Sequence, residues 1–255
     1  MGGSLGRAPG ASLEFEDRRA YMPGDDIRHV DWRALARTDQ VVIRQHREEV
    51  TPVVELLLDD SASLGVSERK AQLAVDLMQV LCIAARTSGF SVRLLRLSNR
   101  AELLDPRSFE RDGLNFQGRL PLGDLVGDAG SILRPGTTRI LVSDFLSPHD
   151  AEALVRRLAA GAGALGLIQV LSKFDIDPPL GSALRLVDAE SGEHRDLVLD
   201  AATVDAYLVR LERLTEGLSQ ECRRAAGVFG RVVAGDDDGL ESACRGVLRQ
   251  RGVFE

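Results

Sequence analysis

The stretch Val53-Val54-Glu55-Leu56-Leu57-Leu58-Asp59-Asp60-Ser61-Ala62-Ser63 decides the fold. Its nearly continuous apolar run is the pattern of a strand buried on both faces. The run ends abruptly in two carboxylates and two hydroxyls. In an open α/β sheet, ligands bind just outside the carboxyl ends of the strands. Asp59, Ser61 and Ser63 stand at alternate positions there, so an extended chain points their oxygens to one side. Hard oxygen donors of this kind suit Mg2+ or Mn2+. The same residues also suit a plain turn, in which Asp and Ser side chains bond nearby backbone amides.

The elements on either side extend this strand into a sheet. Gln40 to Glu48 alternates loosely and predicts a strand. Ser67 is placed to cap a helix of about twenty residues ending near Gly89, with Leu73, Leu77, Val80, Leu81 and Ala84 recurring at threes and fours. Strands are expected at Ser91 to Leu97, Ala101 to Leu104, Thr138 to Ser143, Ala164 to Leu171 and Val228 to Val233. Helices are expected within Leu122 to Ile132, from Ser147-Pro148 to about Ala160, over Ala201 to Ala226 and over Leu240 to Arg251. In the second of these, Ser147 serves as cap and Asp150 is the third helical residue. Leu184 to Asp188 and Asp196 to Leu199 read as a hairpin. Strands alternating with helices imply an α/β fold, a doubly wound and mostly parallel sheet with helices on both faces. Residues 1–40 read as an N-terminal arm packed on the domain and 41–255 as the domain itself. The arm lacks any period but carries Tyr21 and Trp32, which predicts that both aromatics bury against the domain, held by Asp25, Asp26, Arg28 and Asp31.

Thr138 to Ser143 ends in Asp144, at the same edge of the expected sheet as Asp59. Two strand-end carboxylates side by side repel one another, which favours a shared cation over two separate turns. The other candidate motifs carry less. Gly161-Ala162-Gly163-Ala164-Leu165-Gly166 has the dinucleotide spacing, but it follows a helix and precedes a strand, the reverse of what phosphate binding needs. It reads as a helix stop. No phosphate-binding P-loop occurs. The histidines, His29, His46, His149 and His194, are scattered. His149 reads as a solvated helix-end residue, and Asp236-Asp237-Asp238-Gly239 as a turn before the last helix.

Composition sets outer limits. The 255 residues are 44% hydrophobic and 28% charged, enough for a substantial core. A net charge of −7 argues against nucleic-acid binding, which needs clustered Lys and Arg. Cys82, Cys222 and Cys244 show no metal spacing and no disulfide framework, so buried free thiols are expected. The N-terminal residues form no apolar signal segment, and the longest uncharged run, Leu158 to Ser172, is too short to span a membrane. A cytoplasmic, soluble protein is the expectation.

Several stretches resemble one family together. They are Leu13-Glu14-Phe15, Arg19 through Trp32 (Arg-Ala-Tyr-Met-Pro-Gly-Asp-Asp-Ile-Arg-His-Val-Asp-Trp), Ala36-Arg37-Thr38-Asp39 and the Asp-x-Ser-x-Ser strand end. They resemble the signature of a bacterial family of unknown function, numbered fifty-eight among such domains, in its short soluble branch. The element order fits as well, including the Leu186-Val187-Asp188-Ala189-Glu190 hairpin. The resemblance implies a von Willebrand factor A-like fold with a metal-ion-dependent adhesion site, where a partner's acidic residue completes a bound Mg2+. By resemblance, Asp59, Ser61, Ser63 and Asp144 are the ligands. It also implies a non-enzymatic adaptor or co-chaperone of a MoxR-type AAA+ ATPase.

One ligand departs from that pattern. Such sites draw a threonine from a loop before the second Asp, and the matching segment, Pro121 to Leu125, has Gly123 there. Thr137 and Thr138 begin the strand that Asp144 ends, roughly 20 Å away. A water can serve instead, because Mg2+ readily keeps waters. Two other readings stand beside the adaptor. One is a Mg2+-dependent phosphohydrolase of haloacid-dehalogenase type, although Ser61 stands where that chemistry wants a second Asp and no lysine is well placed to stabilise phosphate, the chain having few. The other is a structural scaffold with a decayed metal site.

Overall fold

The computed structural model describes residues 15–46, 51–105, 114–181, 183–187, 189 and 192–235. The chain divides into two units, residues 1–50 and 51–255. In the first, β1 (Phe15–Ala20) pairs antiparallel with β2 (Val42–His46). The boundary therefore falls ten residues later than expected, because the strand read as the head of the domain is β1's partner. Between them lie a 3-10 turn (Ile27–His29) and α1 (Trp32–Thr38). The acids of this unit work locally. Asp25 takes a two-pronged pair from Arg19 at 2.7 Å, and that guanidinium holds its carboxyl below the ordinary value. Asp26 caps the 3-10 turn through Arg28 N, and Asp31 caps α1 through Arg33 N and Ala34 N. Trp32 is 61% exposed, contrary to expectation. It lies in the first turn of α1, whose one buried residue is Ala34.

In the second unit the apolar run forms β3 (Val53–Asp59), buried from Val54 onward. It pairs in parallel with β4 (Ser91–Leu97) after α2 (Glu68–Thr87). β5 (Ala101–Leu104) closes that edge antiparallel to β4. α3 (Leu122–Ala129) precedes β6 (Thr138–Ser143), the other parallel neighbour of β3. After α4 (Ala151–Ala159), β7 (Ala164–Ser172) runs parallel to β6. A short α5 (Lys173–Ile176) leads to the hairpin β8 (Ala183–Val187) and β9 (His194–Val198), a separate antiparallel pair. α6 (Ala201–Arg224) returns the chain to β10 (Val228–Ala234), parallel to β7. The sheet order is β10-β7-β6-β3-β4-β5, so β3 and β6 are central neighbours.

The core lies on both faces of this sheet, as continuous apolar strands require. On one, Ala74, Leu77, Met78 and Leu81 of α2 cover Leu56, Leu58, Ile140 and Val142. On the other, Leu122 and Leu125 of α3, Leu154 and Leu158 of α4 and Leu218 of α6 cover Leu57, Leu141 and Leu167. Cys82 and Cys222 are buried free thiols, as expected. Gly161, with φ +70°, follows the end of α4, so the glycine-rich run is a helix stop. Among the described residues no helix is long and apolar enough to cross a membrane. The expected helix at Leu240 to Arg251, Cys244 and the Asp236–Asp238 turn lie outside the described residues.

One boundary moved for a reason that shapes the site. α4 begins at Ala151, capped by Asp150, whose carboxylate accepts Ala153 N at 2.8 Å. Ser147, expected as the cap, instead has its hydroxyl 3.4 Å from Leu122 N. Residues 144–150 therefore form a loop over the sheet's carboxyl edge rather than a first helical turn.

Candidate functional site

β3 and β6 are in register with Leu58 opposite Val142, which brings Asp59 and Asp144 to the same edge. Both are almost wholly buried, at 2% and 1% exposure. Asp59 Oδ1 accepts Ser61 N at 3.0 Å and Oδ2 accepts Ser143 Oγ at 2.5 Å. The Ser61 and Ser63 hydroxyls lie 3.0 Å apart and bond to each other. Asp144 Oδ1 accepts Leu146 N at 3.0 Å. The four expected residues are thus brought together. Burial, and next the charge of Asp144, push the Asp59 carboxyl up to about 7.

Three groups complete the cluster. Lys70, in the first turn of α2 and 2% exposed, donates to Asp144 Oδ2 at 2.7 Å. Its ammonium is also 3.4 Å from Ser63 O and 3.4 Å from Asp175 Oδ2. Asp175 is fixed by a capping box with Ser172 at the start of α5. Behind Asp144, Gln169 Nε2 donates to its carbonyl at 3.2 Å while Gln169 Oε1 accepts Thr215 Oγ1 at 3.0 Å. Tyr207, half-buried nearby, is pushed up to about 12 by burial first and then by the charges of Asp175 and Asp144. The chain has few lysines, as read from the sequence, yet both of them, Lys70 and Lys173, line the same cleft of about 580 Å3.

These residues do not fit an open divalent-cation shell. Mg2+ needs free oxygens at about 2.0–2.1 Å. Here Asp144 Oδ2 is held by an ammonium, both Asp59 oxygens accept internal donors and the serine hydroxyls face each other. Among the described residues no group of three or more His, Cys, Asp or Glu is arranged to hold a metal. Gly123 lies in the first turn of α3, and a Cβ added there meets only His149 Cβ, at 3.8 Å. Thr137 bonds Glu55 at the opposite edge, as its position in the strand implied. His149, expected to be solvated, is half-buried. Its Nδ1 lies 2.8 Å from Ser147 O and its Nε2 is buried without a hydrogen-bond partner.

Backbone strain and one close approach shape this edge. Phe145, directly after Asp144, is fully buried with φ +58°, a conformation rarely taken by bulky residues. It is held by Ser143 Oγ on its N–H and by burial of its ring. On the other side, Gly118 exchanges backbone bonds with Asp60 O (2.8 Å) and Ala62 N (2.9 Å). Asp60 itself accepts Phe116 N at 2.6 Å. A Cβ at Gly118 would meet Asp60 O and Ser98 Cα at 2.9 Å, both backbone atoms. Gly118→Ala is therefore expected to destabilise the fold by about 1–3 kcal/mol in urea unfolding. An unchanged midpoint would show that the Asp60–Ser63 turn does not depend on this contact.

Fold and site define a mixed α/β protein with a mostly parallel central sheet and a buried polar cluster at its carboxyl edge. The chain belongs to the family described as "Protein of unknown function DUF58", whose family model matches residues 17–115. It is 30% identical over 222 residues to "Uncharacterized protein Rv1480" of Mycobacterium tuberculosis strain H37Rv, spanning 81% of this chain and 70% of that one. It is also similar to the solved structure of the conserved hypothetical protein BatB from Bacteroides thetaiotaomicron. That match has TM-score 0.48 and 14% identity, covering 78% of this chain and 98% of that one. A second is an aerotolerance-related membrane protein from Bacteroides fragilis, with TM-score 0.46, 15% identity and coverage of 78% and 99%.

Proposed function

We propose that the chain is a von Willebrand factor A-like, non-enzymatic interaction module that acts as an adaptor or co-chaperone of a MoxR-type AAA+ ATPase. The observation that carries this reading is the cleft at the sheet's carboxyl edge. Its polar floor of Ser63, Lys70 and Asp175 is rimmed by exposed Val66, Phe174 and Val187, at 74%, 46% and 59%. Three exposed apolar side chains gathered at one cleft suit a protein partner. Both Asp59 oxygens already accept internal donors, so this strand-end carboxylate is not free to act as a nucleophile. That weighs against a Mg2+-dependent phosphohydrolase. An ATP-dependent partner would place the protein in the cytoplasm.

The test is binding of the purified chain to the MoxR-type ATPase of its own organism. Val66→Asp and Phe174→Asp put charges on an apolar rim without touching the core. Each is expected to weaken binding about tenfold or more, equivalent to roughly 1.4 kcal/mol. Unchanged binding by both variants, or no binding by the wild type, overturns the proposal. Magnesium-dependent turnover of p-nitrophenyl phosphate would support the phosphohydrolase instead.

A further inference from the structure

The first turn of a helix disfavours a cation, because the N-terminal end of the helix dipole is positive. Lys70 nevertheless stands there in α2, on the buried stripe shared with Ala74, Leu77, Leu81 and Ala85. A buried ammonium persists only with acceptors for its charge and protons. Lys70 donates to Asp144 Oδ2 at 2.7 Å and Ser63 O at 3.4 Å, and a second carboxylate oxygen, Asp175 Oδ2, lies in ion-pair range at 3.4 Å. Two of these belong to residues, Asp144 and Ser63, that an adhesion-type site would use for its ion. We propose that Lys70 is the resident cation of this edge, a tethered ammonium that replaces a divalent metal.

The chemistry of the two cations makes them exclusive. Mg2+ or Mn2+ would have to take Asp144 Oδ2 at bonding distance, where the ammonium already stands. An ion could enter only by expelling Lys70 from a site that leaves it 2% exposed. A lysine needs neither free metal nor a partner's acidic residue to complete it. The wild-type edge is therefore set whatever the cation supply, and the proposal stands whether or not the ATPase is the partner.

The test uses metal alone. Wild type and Lys70→Met, stripped with chelator, are titrated with Mg2+ and Mn2+ while melting temperature is followed. The wild type is expected to show no shift up to millimolar metal. Lys70→Met is expected to melt lower without metal and to rise by several degrees as metal fills the vacated position, by mass action. Asp144→Asn in the Lys70→Met background should abolish that rise. Equilibrium dialysis with Mn2+ gives a second measure, with at least tenfold tighter binding by Lys70→Met. It also decides the matter on the wild type alone should the variant fail to fold: stoichiometric Mn2+ on the wild type overturns the proposal, and none supports it. A folded Lys70→Met with no metal response overturns it too.

Discussion

Glu55→Gln is expected to remove about 3–5 kcal/mol of stability, a large part of the 5–15 kcal/mol typical of a domain. Glu55 is the single charge in the apolar run of β3 and is 0% exposed. It stands directly opposite Arg93 of β4 and Arg139 of β6 in the strand register. Its carboxylate accepts Arg93 Nη1, Arg139 Nε at 3.1 Å, Thr137 Oγ1 at 2.9 Å and Arg134 N at 3.0 Å. Arg139, 3% exposed, also donates to Leu158 O, Ala160 O and Arg134 O at 2.7–2.8 Å. One anion thus ties three strands to the end of α4 and the loop before β6. Taking away its charge leaves Arg139 buried without a counter-ion, which is the costly half of breaking a buried pair. Urea unfolding measures the loss, and Glu55→Leu/Arg139→Met should recover much of it, because an apolar pair carries no buried charge. A loss below about 1 kcal/mol for Glu55→Gln would mean that water reaches this cluster and screens it.

The alternation of apolar runs with helical periods made the layered architecture legible, because strands buried on both faces leave a continuous hydrophobic signature. The carboxyl edge was legible too: Asp59 and Asp144 each terminate such a run, and parallel strands put those ends together. What sequence could not supply was the partner of each charge. Glu55, Arg93 and Arg139 look like isolated interruptions until strand register sets them side by side. Lys70 left one signal, since it falls on the inward stripe of α2, four residues before Ala74 and seven before Leu77. Its partners Asp144 and Asp175 lie far along the chain, so the stripe alone marks it as buried and not as a counter-ion. The arm misled for a related reason. Its acids have local backbone and Arg19 partners, so its order does not require Trp32 to be buried. At α4, Ser147-Pro148 and Asp150 both qualify as starts, and the short connection to α3 through Leu122 N decided for Asp150.

Asp59→Asn is expected to stabilise the protein at neutral and alkaline pH and to flatten its pH dependence. Asp59 is buried beside the charge of Asp144, and its carboxyl is pushed from an ordinary 3.8 to about 7. The folded state therefore keeps a proton that the unfolded chain releases between those values. A raised folded value contributes stability that is fully present below the unfolded value and is lost as pH rises through the folded one. Wild-type stability should accordingly fall from about pH 4 to about pH 7 through this group, by on the order of 4 kcal/mol at most. Lys70 does not remove it, because its ammonium is bound to Asp144 and not to Asp59. Asparagine keeps the shape: its carbonyl can accept Ser61 N as Oδ1 does, and its amide can donate to Ser143 Oγ where Oδ2 now accepts. It carries no charge, so that slope should vanish. Urea unfolding of both proteins between about pH 5 and about pH 8 isolates the Asp59 contribution as a difference, since every other group titrates in both. The variant should gain on the wild type steadily as pH rises. A difference that stays constant across the window, or that shrinks, would show that Asp59 is already ionised in the folded protein and that another cation reaches it.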